Sequence, residues 1–149
     1  MGIEDLTLDI EQSVEVTGSV EETFKSVLHR LGEGNMGPDG ESLHLQIEQF
    51  AGGRWFRDRG DGVQHLWAHV QVIKPPVLLE FSGPLFMSYP ALNHIEVKLE
   101  PVRETTRVTL RHRAVGMIEP SHRDGFGQGW QLMLERVKND FVQATDTKV

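Results

Sequence analysis

The chain has 149 residues, 38% hydrophobic and 25% charged, which fits one soluble globular domain over residues 1–149 with enough chain to bury a substantial core. Its net charge of −7, from 15 basic and 22 acidic residues, gives no general pull toward nucleic acid or an anionic membrane. There is no cysteine for a disulfide or thiol chemistry, no apolar run near the ~20 residues of a membrane span, and no secretory pattern in the acidic MGIEDLTLDIEQ start, so a cytoplasmic location is expected.

The first element is a strand over Ile10 to Val16, with Ile10, Val14 and Val16 on one side. Gly18 ends it. Ser19 then caps a helix, with Glu22 at the reciprocal capping-box position. Val20, Phe24, Val27, Leu28 and Leu31 recur at helical spacing, and Gly32 stops the helix. Residues 32–42 form a loop dense in turn residues. Leu43, Leu45 and Ile47 alternate with His44, Gln46 and Glu48 as a half-buried strand. Arg54 to Asp58 follows the Gly52-Gly53 turn, and Arg59-Gly60-Asp61-Gly62 reads as a hairpin turn. Gln64 to Ile73 is a strand, broken by Pro75-Pro76 before the strand Val77 to Phe81. Gly83-Pro84 opens a loop through Tyr89-Pro90. Ala91 to Glu100 and Thr106 to Ala114 then alternate clearly, with Ile95, Val97 and Leu99 on one inward face and Val108, Leu110, His112 and Ala114 on the other. Ser121 is the expected cap of a final helix whose stripe is Phe126, Trp130, Met133, Leu134, Val137 and Phe141. The pattern β, α, about six strands, α is an α+β arrangement.

These residues resemble the SRPBCC (START-like, Bet v-like) superfamily, in its branch related to the heat-shock-protein ATPase activator. The matching pieces are VEVTGSVEETFKSVLHRLG, FAGGRWF, HVQVIKPPVLLEF, NHIEVKLEP with TRVTLRHRAVG, and GWQLMLERVKNDF, in that order over nearly the whole chain. The resemblance implies a helix-grip fold: a curved antiparallel sheet of six to seven strands around a long C-terminal helix, with one shorter N-terminal helix and a cavity between sheet and helix. Members bind or process apolar small molecules or act as interaction domains, so the family alone leaves function open.

Gly32, Gly34 and Gly37 spell a GxGxxG pattern, but a helix precedes it and a strand follows, the reverse of a dinucleotide site. The Arg-Gly-Asp triplet is read as its hairpin turn. His65 and His69 lie four apart in a strand, roughly 13 Å, too far to share one ion, and no metal site is expected. Arg107, Arg111 and Arg113 share one strand face and are read as a solvated outer surface.

His112 points inward and needs hydrogen-bond partners, and Asn93 precedes the inward residues of the neighbouring strand. The two are either a satisfied core pair or the polar handle of the cavity. Trp55, Trp67, Phe81, Phe86, Met87, Phe126, Trp130 and Met133 are either core packing or the cavity wall. Leu66, Ala68, Val70 and Val72 compete with Trp67 for the inward side, leaving His65, Trp67, His69 and Gln71 to face outward or toward a partner. Gly125, Gly127 and Gly129 near the start of the final helix admit two readings: a regular helix that begins near Gln128, or a close approach to the loop 83–89.

The leading expectation is binding of an apolar or aromatic small molecule, with Trp55, Trp67, Phe81, Phe86, Met87, Asn93, His112, Phe126, Trp130 and Met133 as ligand-contacting residues. No catalytic residue, metal or cofactor is assigned, and enzymatic activity is left open. The alternatives are a cyclase- or hydrolase-like enzyme using His112, or a chaperone-type interaction module presenting His65, Trp67 and His69. The expected partner is a hydrophobic small molecule, with a homodimer or a chaperone partner compatible with the resemblance, and neither nucleic acid nor membrane.

Overall fold

In the computed structural model, which describes residues 2–146, a 3-10 turn at Ile3–Leu6 leads into β1 (Thr7–Val16). Helix α1 (Val20–Leu31) starts where expected, because the Ser19 hydroxyl accepts from the Glu22 backbone N–H at 3.1 Å. Six strands follow: β2 (Leu45–Ile47), β3 (Arg54–Asp58), β4 (Gln64–Lys74), β5 (Leu78–Gly83), β6 (Ala91–Val102) and β7 (Thr105–Gly116). Helix α2 spans Pro120–Asp146. The seven strands form one antiparallel sheet in the order β1-β7-β6-β5-β4-β3-β2. This is the helix-grip α+β fold. Its core lies between the inner sheet face and the two helices, with Val27, Leu31, Phe81, Ile95, Val97, Val108, Leu110 and Val137 buried.

Several local expectations are corrected. Strand β2 is shorter than the Leu43–Ile47 alternation suggests, because His44 takes a left-handed backbone (φ 54°) that interrupts extension and puts Leu43 in the preceding loop. Helix α2 begins at Pro120, whose fixed φ and missing N–H suit the first helical position, so Ser121 lies inside the first turn and is not its cap. The helix is continuous through Gly125, Gly127 and Gly129, which excludes a start near Gln128. Nor do these glycines serve a close approach. A Cβ at Gly125 or Gly129 would have no atom within 4 Å, and one at Gly127 would meet only Gln12 Nε2, at 3.6 Å.

Strand β4 decides the shape of the sheet. Its pairing with β3 slips between Trp55 and Phe56, so that Trp55 faces Ala68 and Phe56 faces Leu66. Trp67 is the extra residue of a β-bulge, and the bulge turns both Trp67 and Ala68 inward. The two alternating sets that compete in the sequence are thus each used on one side of the bulge. Ala68 and Val70 are buried, while Leu66, His69 and Gln71 are exposed. A second slip at Gln71 brings Val72 opposite Glu80 and Ile73 opposite Leu79. On the outer face Arg107 pairs with Glu15 and Glu100, and Arg111 with Asp9, the cross-strand neutralisation expected of a solvated surface.

Gly83 lets the β4 bulge close. A Cβ there would lie 2.4 Å from Ala68 Cα and 2.5 Å from the Trp67 carbonyl oxygen, both backbone atoms that cannot move aside. Opposite effects follow at two glycines. In urea unfolding, Gly83→Ala is expected to lose about 1–3 kcal/mol by overpacking. Gly129→Ala is expected to gain about 0.5–1 kcal/mol of helix propensity, because nothing opposes its methyl group. A neutral Gly83→Ala would contradict the tight bulge, and a destabilising Gly129→Ala would contradict the open helix face.

Candidate functional site

The sheet curves away from α2 at the β3–β4 end, and the gap is an open cavity of about 460 Å³, within the range of small-molecule pockets. Its floor is the indole pair Trp55 and Trp67, packed edge to face with centroids 5.3 Å apart. Leu85 and Phe86, after β5, form one wall. The α2 residues Phe126, Trp130 and Met133 form a second, and the loop residues Met36, Pro38 and Leu43 a third. Gly125 and Gly129 sit one turn apart on the same α2 face and leave the space before them unfilled.

Of the ten candidate residues, Trp55, Trp67, Phe86, Phe126, Trp130 and Met133 line this cavity. The other four lie behind its wall. Phe81 is fully buried under Trp55, ring centroids 4.6 Å apart. Met87 is buried, with its Sδ 2.6 Å from the Tyr89 hydroxyl. Asn93 and His112 are fully buried and hydrogen-bonded to each other. Trp67 belongs to the cavity floor, so the exposed His65, Trp67 and His69 patch required by the interaction-module alternative does not form.

His112 is placed by a relay whose direction follows from its ends. The Trp130 indole Nε1–H can only donate, and it lies 3.0 Å from His112 Nδ1. That nitrogen therefore carries no proton, and the neutral ring holds its proton on Nε2. Nε2–H donates to Asn93 Oδ1 at 2.7 Å, and Asn93 Nδ2–H donates to the Gly83 carbonyl at 3.1 Å. The Phe126 ring packs edge-on against the imidazole at 4.6 Å. Both imidazole nitrogens are engaged and screened from the cavity, so the geometry gives His112 the work of fixing the Trp130 indole plane. Burial pushes its pKa down from 6.5 to about 4, which keeps the ring neutral.

The polar part of the wall was not singled out from the sequence. Arg30, Arg57 and Arg136, with Asn35, Ser121 and His122, complete the lining. Arg30 is bound to Asp140, which also accepts from Ser26 Oγ at 2.7 Å, so α1 and α2 are tied beside the cavity. Arg136 donates to the Met36 and Gly37 carbonyls at 2.7 and 3.1 Å and holds the loop 32–44 over the opening. His122 Nδ1 lies 2.9 Å from the Tyr89 hydroxyl. Arg57 was legible, since it follows Trp55 by two on the same strand face. Arg136 follows Met133 by one helical turn. The loop residues carry no such signal. Among the described residues no group of His, Cys, Asp or Glu could hold a metal ion, and no helix is long and apolar enough to cross a membrane.

Residues 40–140 match the family described as "Activator of Hsp90 ATPase homolog 1-like protein", and the chain belongs to that family, the AHSA-like branch of the SRPBCC superfamily. Solved structures share the fold. Protein CV1439 from Chromobacterium violaceum is 13% identical with a TM-score of 0.67, covering 89% of this chain and 96% of its own. The di-domain ARO/CYC StfQ from the steffimycin biosynthetic pathway is 16% identical with a TM-score of 0.66, covering 97% of this chain and 53% of its own. Ara h 8.0201 is 12% identical with a TM-score of 0.63, covering 92% of this chain and 99% of its own. Identities this low speak for the fold alone. No curated protein sequence matches the chain.

The relay sets a pH dependence. The folded-state pKa of His112 lies below its unfolded value, so the unfolded chain takes up the proton first. The stability of the neutral buried ring is fully present above about pH 6.5 and is lost as pH falls to about 4, of order 3 kcal/mol in all. In urea unfolding at pH 7 and about pH 4, wild type is expected to lose roughly that much more than His112→Gln. Equal losses in the two proteins would show that the ring is not held neutral.

Proposed function

We propose that this protein binds a single apolar, ring-containing small molecule in the cavity between α2, the loop 32–44 and the β3–β4 end of the sheet. The observation that carries the reading is the unfilled α2 face. A helix with no packing need for glycine at positions 125 and 129 nevertheless has it at both, at a cost of roughly 0.5–1 kcal/mol each. The same two positions front an aromatic-lined space open to solvent. Rings already surround that space on three sides, so a flat ligand would slide among Trp67, Phe86, Phe126 and Trp130 with favourable edge and face contacts. Burial of its apolar surface would supply most of the affinity, at about 25 cal/mol per Å². The shared fold with an ARO/CYC protein is compatible with this use of the space. An acid–base role for His112 has no geometric support, because Trp130 would first have to release Nδ1.

The test fills the space from within. In Gly125→Leu/Gly129→Leu both new side chains start into the cavity, since a Cβ at either position has no atom within 4 Å. Wild type is expected to bind the neutral dye N-phenylnaphthylamine at one saturable site with a fluorescence rise. The double variant is expected to lose that rise while melting no lower than wild type. Undiminished dye uptake in the folded variant would remove the cavity as the binding site.

A further inference from the structure

The cavity wall is electrostatically one-sided. The chain as a whole carries 22 acidic and 15 basic residues, yet three arginines and no Asp or Glu are among the residues lining the cavity. Two of the three are committed: Arg30 to the Asp140 carboxylate, Arg136 to two loop carbonyls. Arg57 is not. Its guanidinium has no carboxylate partner among the described residues, and its Nε is buried with no acceptor. A second donor nearby is in the same condition. The indole Nε1 of Trp67, a residue only 9% exposed, is buried without an acceptor, whereas the indoles of Trp55 and Trp130 donate to the Leu31 carbonyl and to His112.

The two orphan donors are neighbours by register. Arg57 pairs with His65 across β3 and β4, and Trp67 lies two residues further on the same inward side. Both side chains line the cavity at that end of the sheet. A buried N–H without an acceptor is costly, and a partly buried guanidinium without a counter-charge more so. Two of them at one end of a cavity whose lining holds no carboxylate describe a receptor for an oxygen-bearing anion.

Resting on the cavity reading above, we infer that the ligand is an apolar ring compound carrying a carboxylate, whose oxygens accept from Arg57 and from Trp67 Nε1 while its rings lie against Phe126 and Trp130. Arg57 supplies charge and Trp67 supplies direction. The −7 net charge repels anions at long range, so selection for the acid arises inside the cavity, at two donors that are themselves buried and unsatisfied.

The experiment uses a matched pair, naphthaleneacetate and its uncharged isostere naphthaleneacetamide, each competing with N-phenylnaphthylamine on the purified protein. Wild type is expected to release the dye to the acid at a concentration roughly tenfold or more below that of the amide, the usual worth of a charge-assisted hydrogen bond. Arg57→Gln should bring the acid to within roughly twofold of the amide, both read against the variant's own dye affinity. Trp67→Phe, which keeps the ring and removes the N–H, should narrow the gap in part. Equal potency of acid and amide on wild type overturns the inference and leaves the cavity reading intact, as does an Arg57→Gln variant that weakens both alike. Should Arg57→Gln not fold, the wild-type ratio and Trp67→Phe decide. Dye binding indifferent to the double glycine variant is the separate result that removes the cavity reading itself.

Discussion

One hydrogen bond fixes the geometry on which the cavity depends: the Trp130 indole N–H donating to His112 Nδ1. An indole has one donor and no acceptor, so the bond dictates the histidine tautomer, and the tautomer in turn commits Nε2–H to Asn93 and Asn93 to the Gly83 carbonyl. The chain of bonds runs from α2 through β7 and β6 to the end of β5. It pins the helix to the sheet along one line and sets the plane of an aromatic wall. On the β1 side Gln12 donates to the Gly127 carbonyl at 2.8 Å. With the helix held there, the β3–β4 end of the sheet is free to curve away, and the volume between is left to the loop 32–44 and to solvent.

That curvature has its own cause. The bulge at Trp67 places two successive residues on the inner face, one broad and one small, and Gly83 allows β5 to close over them. Trp67 therefore reaches into the cavity while Ala68 packs against the core. The bulge also frees the Trp67 carbonyl to accept from the Leu85 N–H at 2.6 Å, which draws Leu85 and Phe86 in as a wall. Fold and site are thus the same construction, and the charge pattern within it follows suit. The arginines that stabilise the loop and the helix pair are matched, and the one that faces open space is not.

Much of this was legible in the sequence. Strict alternation over β6 and β7 puts His112 and Asn93 on one inner face, and the helical stripe gives Phe126, Trp130 and Met133 together. Their division of labour was not legible, because it depends on which partner each nitrogen meets. Trp67 was ambiguous for a physical reason: a strand that changes its inward parity at a bulge satisfies two period-two patterns, and only pairing with Trp55 and Phe56 says where the change falls. The α2 glycines were open for a similar reason, since helix propensity cannot say whether a small residue admits a neighbour or leaves a space. Arg57 was missed although its parity with Trp55 was available. A charged residue in a short strand near a turn reads as solvated unless its partners are known.

On the reading proposed here, the space under α2 receives a ligand. Proton–nitrogen NMR on the three tryptophan indoles tests it most directly, because each N–H sits in a different setting. On titration with naphthaleneacetate the Trp67 indole resonance is expected to move most, with the Trp130 resonance moving less and that of Trp55, bound to the Leu31 carbonyl, staying in place. A titration that shifts surface amides while leaving the Trp67 and Trp130 indoles unmoved would contradict it.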